Sequence, residues 1–158
     1  MTIASTGELV EAARAAGGGL GAFNVIGLEH AEGIVAGAER SGTPVVLQVS
    51  ENTVAYHGGR LAPIGQGCTE LAGAAAVPVA VHLDHATTPE LCAEAMALGF
   101  GSVMFDGSGL DYQDNVTATA AVVADAHRRG VFVEAELGEI GGKNGVHAPD
   151  ARTDPREA

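Results

Sequence analysis

Val79-Ala80-Val81-His82-Leu83-Asp84-His85 is a short, mostly apolar run that ends on an acid and an imidazole side by side. Ala86-Thr87-Thr88-Pro89 follows as a loop, and a helical pattern starts directly behind it. Apolar runs of this length suit strands buried on both faces of a parallel sheet. In strand–helix proteins the C-terminal ends of the strands are where chemistry is placed. An Asp–His pair there offers a proton-transfer carboxylate beside a metal-ligating imidazole.

The same rhythm extends in both directions. The spacing predicts strands over 20–25, 44–50, 79–85, 102–105 and 131–137. It predicts helices over 7–16, capped by Thr6, and over 28–41, 62–76, 89–98 and 111–129. Residues 51–62 read as loop. Ile34, Val35 and Ala38 form the apolar side of one helix, and Val116, Ala120 and Val123 that of another. Five strands alternating with helices imply a parallel α/β sheet, because each crossover needs a helix. An open doubly wound sheet and a (β/α)8 barrel both fit that rhythm. Residues 1–158 read as a single domain. At its end, Thr153-Asp154-Pro155 has the form of a helix start. A truncated polypeptide and a frayed tail both account for it.

Composition narrows the partners. Of the 158 residues 46% are hydrophobic, which favours a packed domain over disorder. The formal net charge of −12 leaves no basic stripe for nucleic acid. A small phosphorylated substrate stays compatible, because backbone N–H groups and a metal can bind phosphate against the net charge. Cys68 and Cys92 form neither a metal-ligand spacing nor a disulfide framework, so a reduced, cytoplasmic protein is expected. No signal peptide and no bilayer-spanning run is evident, so no membrane partner is expected.

Polar residues recur at the strand ends: Asn24, Ser50, Asp84, His85, Asp106, Ser108, Glu134 and Glu136. In a parallel barrel those ends meet at one mouth. Asp84 and His85 read either as a helix cap with a backbone-bonded imidazole, or as general acid/base and metal ligand. Alternation puts His82 on the face of Asp84 and opposite His85, as a core or supporting histidine. Asp106 is either a turn former, with Gly107 freeing the backbone beside it, or a second carboxylate near a cation. Glu134 and Glu136 share one side of their strand and call for a cation or a basic partner. The glycine-rich segment 138–152 is either a lid or a plain connection. No P-loop and no GxGxxG supports nucleotide binding. His30 and His57 read as surface or helix residues, and His147 has no assigned role.

Four segments together resemble the class II, metal-dependent fructose-bisphosphate aldolases and the related tagatose-bisphosphate aldolases. They are Gly21-Ala22-Phe23-Asn24-Val25, His82-Leu83-Asp84-His85, Met104-Phe105-Asp106-Gly107-Ser108, and Glu134-Ala135-Glu136-Leu137-Gly138 with Gly141-Gly142. The resemblance implies a (β/α)8 TIM barrel, present here as about five β/α units. It implies a glycolytic lyase that reversibly cleaves a ketose 1,6-bisphosphate, with fructose the first candidate, to dihydroxyacetone phosphate and glyceraldehyde 3-phosphate. Asp84 corresponds to the catalytic acid/base. His85 corresponds to one of three histidines on a Zn2+ that polarises the ketone. Asp106 and Glu136 correspond to a second cation site of some members. Ser50 corresponds to a phosphate contact and Asn24 to a residue near the ketose, with His82, Glu134 and Ser108 in support.

The family's other two zinc histidines fall beyond residue 158, and His127 and His147 do not match them. Asn144 stands where some relatives carry a lid Glu. The resemblance also implies a homo-oligomer, dimer or higher. Two other readings stay open: a non-catalytic half-barrel that associates with itself or another fragment, and a different metal-dependent lyase or isomerase on the same scaffold.

Overall fold

All five expected strands join one parallel sheet in the order β1-β2-β3-β4-β5 in the computed structural model, which describes residues 3–138 and Arg156. The strands are β1 (Gly21–Asn24), β2 (Val45–Ser50), β3 (Val79–Ala86), β4 (Ser102–Phe105) and β5 (Phe132–Ala135). The helices are α1 (Thr6–Ala15), α2 (Leu28–Ser41), α3 (Glu51–Tyr56), α4 (Ala62–Ala74), α5 (Pro89–Ala97) and α6 (Tyr112–Arg128). The order never reverses, which separates this sheet from a doubly wound one and matches the sequential strands of a TIM barrel.

The two faces of the sheet differ. Val45, Leu47, Val49, Val79, Val81, Leu83, Val103 and Phe105 project to one side and pack with α2, α4, α5 and α6 in a single apolar core. Removing a side chain such as Leu83 from that core would cost about 2–5 kcal/mol. The opposite face carries polar groups. One row of register partners reads Asn24, Gln48, His82, Ser102, Phe132 across all five strands. A helix-covered outer face and a polar inner face are what a barrel wall needs.

α1 closes the lower end of that inner face. Ala4 N donates to Val79 O at 3.0 Å, and Ser102 Oγ donates to Thr6 Oγ1 at 2.8 Å. Thr6 is therefore buried inside the first turn, and Ser5 is the cap that accepts from Glu8 N, in place of the expected Thr6. Two other expectations need correction. Residues 51–56 are helical, because Ser50 ends β2 and caps α3 at once, accepting from Thr53 N at 3.2 Å. The buried side of α6 is Asn115, Val122 and Ala126, while Val116 and Ala120 face outward. The apolar residues of that helix follow helical spacing, but the interior takes a polar one at position 115.

Cys68 and Cys92 are buried free thiols, which burial pushes up to about 11 and about 12, Glu51 adding to the rise at Cys92. No helix among the described residues is long and apolar enough to cross a membrane. The lid-like segment, apart from Gly138, and the helix start at 153–155 lie outside the described residues.

Candidate metal centre

The site is built on an irregularity in β3. Leu83 pairs with Val103 and Ala86 with Phe105, so two residues of β3, Asp84 and His85, stand opposite the single Met104 of β4. This is a β-bulge. Leu83 and Ala86 both keep their side chains in the apolar core, so the two residues between them are turned to the inner face. Strict alternation would have put Asp84 and His85 on opposite faces, and the bulge corrects that expectation. His85 adopts φ 52°, the one non-glycine residue with positive φ among those described. That conformation costs an L-residue about 1–2 kcal/mol.

The strain brings His85 against two carboxylates. Its Nδ1 lies 2.9 Å from Asp106 Oδ2 and 3.0 Å from Glu136 Oε2, and both acids are nearly fully buried. Its Nε2 lies 3.9 Å from Asp84 Oδ1. Asp106 forms the turn and also faces the imidazole. Oδ1 accepts from Ser108 N at 3.1 Å and from Ser108 Oγ, which shapes the turn after β4. Oδ2 remains directed at the imidazole. Ser108 therefore holds the Asp106 carboxylate from the side opposite His85.

Gly107 serves a purpose other than the expected one. Its φ is not positive, so it is not there to let the backbone turn. A Cβ at this position would collide with Asn115 Oδ1; closeness to α6 is what excludes a side chain. Glu134 lies near Asp84 on the same side as Glu136. Partial desolvation, then the Asp84 carboxylate, hold its carboxyl above the usual range, with His85 opposing.

His82 sits one step below, 3% exposed, with Nδ1 2.7 Å from Ser102 Oγ. Ser102 gives its own hydrogen to Thr6, so His82 Nδ1 is the donor in this contact. Burial, then the neighbouring His85, pull the His82 imidazole down to about 4. A buried imidazole with a lowered value stabilises the fold above its unfolded value of about 6.5, and that stability is lost as pH falls toward 4. The expected loss is about 3 kcal/mol. Urea unfolding at pH 7 and pH 4 should show wild type losing about that much more than His82→Gln, since the carboxylate contributions cancel between the two. Equal acid sensitivity would contradict a neutral, buried His82.

Ser50 and Asp84 are register partners, so Ser50 stands beside Asp84 at the strand ends while its hydroxyl caps α3. Asn24 Oδ1 accepts from Gln48 Nε2 at 3.0 Å. Neither residue belongs to the cluster around His85. Two further contributors, Glu51 and Asn115, are not singled out by the sequence, which reads His57 as a surface or helix residue. Glu51 accepts from Thr87 N at 2.8 Å and from Thr87 Oγ1 at 2.9 Å, fixing the loop just past His85. His57 Nε2 lies 2.7 Å from Ile26 O and ties α3 to the turn after β1. Asn115 donates to Glu136 O at 2.9 Å. A buried Asn at a core-facing helix position is the one sign that could have revealed the last.

His85, Asp106 and Glu136 each present a ligand atom, and the three atoms lie within 4.8 Å of one another. One imidazole and two carboxylates are donors that a zinc-type cation accepts, and three protein donors leave room for substrate. Two buried acids crowding one nitrogen are also costly to keep ionised without cationic charge nearby. The donor set therefore fits a divalent cation.

Comparison with known proteins agrees with the fold. The family described as "Fructose-bisphosphate aldolase class-II" matches residues 4–158. A fructose-bisphosphate aldolase of Thermus caldophilus is 43% identical over 155 residues, which is 96% of this chain and 50% of that protein. A 6-phospho-5-dehydro-2-deoxy-D-gluconate aldolase of Shouchella clausii is 43% identical over 126 residues, 78% of this chain and 42% of that one. A crystal structure of a putative fructose-1,6-bisphosphate aldolase from Coccidioides immitis superposes with a TM-score of 0.81 at 31% identity, covering 96% of this chain and 54% of the other. The chain spans about half the length of the curated relatives it matches. With its sequential parallel strands and its polar strand ends, the chain belongs to the class II fructose-bisphosphate aldolase family.

Proposed function

We propose that the chain carries the acid/base and part of the metal site of a zinc-dependent aldolase that cleaves a phosphorylated ketose. The observation that carries this reading is the bulge that turns Asp84 and His85 to the same face, with Asp106 and Glu136 on the other side of the imidazole. His85, Asp106 and Glu136 would hold the cation. Bound there, Zn2+ supplies Lewis-acid polarisation of a substrate carbonyl.

The remaining work falls to residues of the chain. Asp84 lies 3.9 Å from the far nitrogen of His85, beyond hydrogen-bond distance, and acts as the base that takes a hydroxyl proton from the ketose and returns it in the reverse direction. Glu134, with its raised carboxyl, lies within electrostatic reach of Asp84 and opposes a second full charge beside it. Ser50, beside Asp84, and Asn24, in the row below, stand on the substrate side of the wall. Aldolases of two different names match this chain at 43% identity. The reading is therefore held to a phosphorylated ketose, with fructose 1,6-bisphosphate tested first.

The test is a Zn2+ titration of the purified chain and its His85→Ala variant, beside a coupled cleavage assay with fructose 1,6-bisphosphate and tagatose 1,6-bisphosphate, with and without a chelator. Saturable Zn2+ binding that is lost in His85→Ala is the expected result, with Zn2+-dependent cleavage of either sugar where the remaining zinc histidines are supplied. Zn2+ binding indifferent to His85→Ala rejects the proposal.

A further inference from the structure

The two carboxylates that meet His85 come from different strand ends: Asp106 is tied to β3, its N donating to Ala86 O at 2.8 Å, and Glu136 follows directly on β5. The β4–β5 ladder stops at Phe105 and Ala135, one residue short of Asp106 and of Glu136. Like charges brought to one nitrogen repel, so their approach needs mechanical support from outside the ladder. α6 supplies a residue placed for this. Asn115 is 5% exposed at the start of that helix. Its Nδ2 donates to Glu136 O at 2.9 Å, which fixes the backbone directly beyond β5. Its Oδ1 accepts from Thr119 Oγ1 at 2.9 Å, which fixes the orientation of the amide. The same Oδ1 lies so close to Gly107 that no side chain fits there, which sets how near the residue after Asp106 comes to the helix.

We infer that Asn115 is a positioning residue, locked by Thr119, that holds Asp106 and Glu136 at one separation around His85 and so sets the cation affinity of the site. This rests on the metal-site reading above. The amide touches neither substrate nor cation. It acts through the Glu136 backbone on one side and the Gly107 backbone on the other. Outer partners of this kind tune metal affinity by orienting the ligands. The arrangement also explains why a polar side chain takes the inward position of α6 when apolar residues were available one position along.

Two measurements test it on the metal-free chain. The first is a crystal structure of Asn115→Ala without metal. The Glu136 carboxylate should leave His85 Nδ1, and the turn at Gly107 should close toward the vacated space. Unchanged contacts at Asp106 and Glu136 would overturn the inference. The second is a Co2+ titration followed by visible absorption. Asn115→Ala should bind about 10–100-fold more weakly than wild type. Thr119→Val, which keeps side-chain volume and removes only the locking hydroxyl, should lose less but measurably. Val122→Ala, on the same helix and buried in the apolar core, should lower stability without moving Co2+ affinity. Equal affinities for wild type and Asn115→Ala, or for wild type and Thr119→Val where the alanine variant does not fold, would overturn the inference. His85→Ala, titrated alongside, separates the two claims. Co2+ binding indifferent to that substitution rejects the metal-site reading, and the metal-free structure still decides the role of Asn115.

Discussion

Asp84→Asn should lower turnover of a phosphorylated ketose by about 10²–10⁴-fold, the range for losing a positioned general acid/base. KM and metal affinity should stay nearly unchanged. Asn keeps the size of Asp and most of its hydrogen-bonding capacity but cannot take up a proton at neutral pH. The distance of 3.9 Å from Asp84 Oδ1 to His85 Nε2 argues that Asp84 does not hold the imidazole. That work falls to Asp106 and Glu136 on Nδ1. The two roles separate kinetically: losing a proton carrier lowers kcat and kcat/KM together, whereas losing a binding group raises KM. Steady-state kinetics beside a Co2+ titration of the same variant reads both. A variant with near wild-type kcat and weakened metal affinity would make Asp84 a ligand and remove it from acid/base work.

The placement of Asp84 also shows how far the sequence could be read. Strand ends were legible because apolar runs of four to eight residues, each closed by a polar residue, are imposed by burial on both faces. Val79 to His85 and Ser102 to Phe105 announced themselves in this way, and His85, which closes the first, meets Asp106, which follows the second. The bulge was not legible. Alternation is a property of a regular ladder, and the extra residue becomes visible only when Leu83 and Ala86 are matched to Val103 and Phe105 on the next strand. α3 escaped notice because Ser50 ends a strand and caps a helix at one position, leaving no linker to mark the boundary. Asn115 escaped because periodicity weighs apolar residues, and the side of α6 they suggested was not the one the sheet buries. In each case the missed feature is one where a local rule gives way to the needs of the site.

His85→Ala should abolish saturable cation binding in the micromolar range and with it metal-dependent cleavage. The affinity loss should exceed the ~10–100-fold typical of losing an outer partner, because one of three donor atoms disappears. Alanine is the informative replacement for a second reason. At φ 52° it carries nearly the same backbone strain as histidine, so the substitution removes the imidazole and leaves the strain in place. Asp106 and Glu136 would then face each other without the group between them. The metal-free variant should lose about 2 kcal/mol of stability, the range for losing a hydrogen bond to a charged acceptor. His85→Gly adds the complementary measurement. Glycine adopts positive φ without penalty, so this variant should be about 1 kcal/mol more stable than His85→Ala while binding metal no better. Urea unfolding of the three proteins, each free of metal, gives both differences. Equal stability of the alanine and glycine variants would mean that the left-handed conformation does not persist in solution. The bulge would then not be what brings Asp84 and His85 to one face.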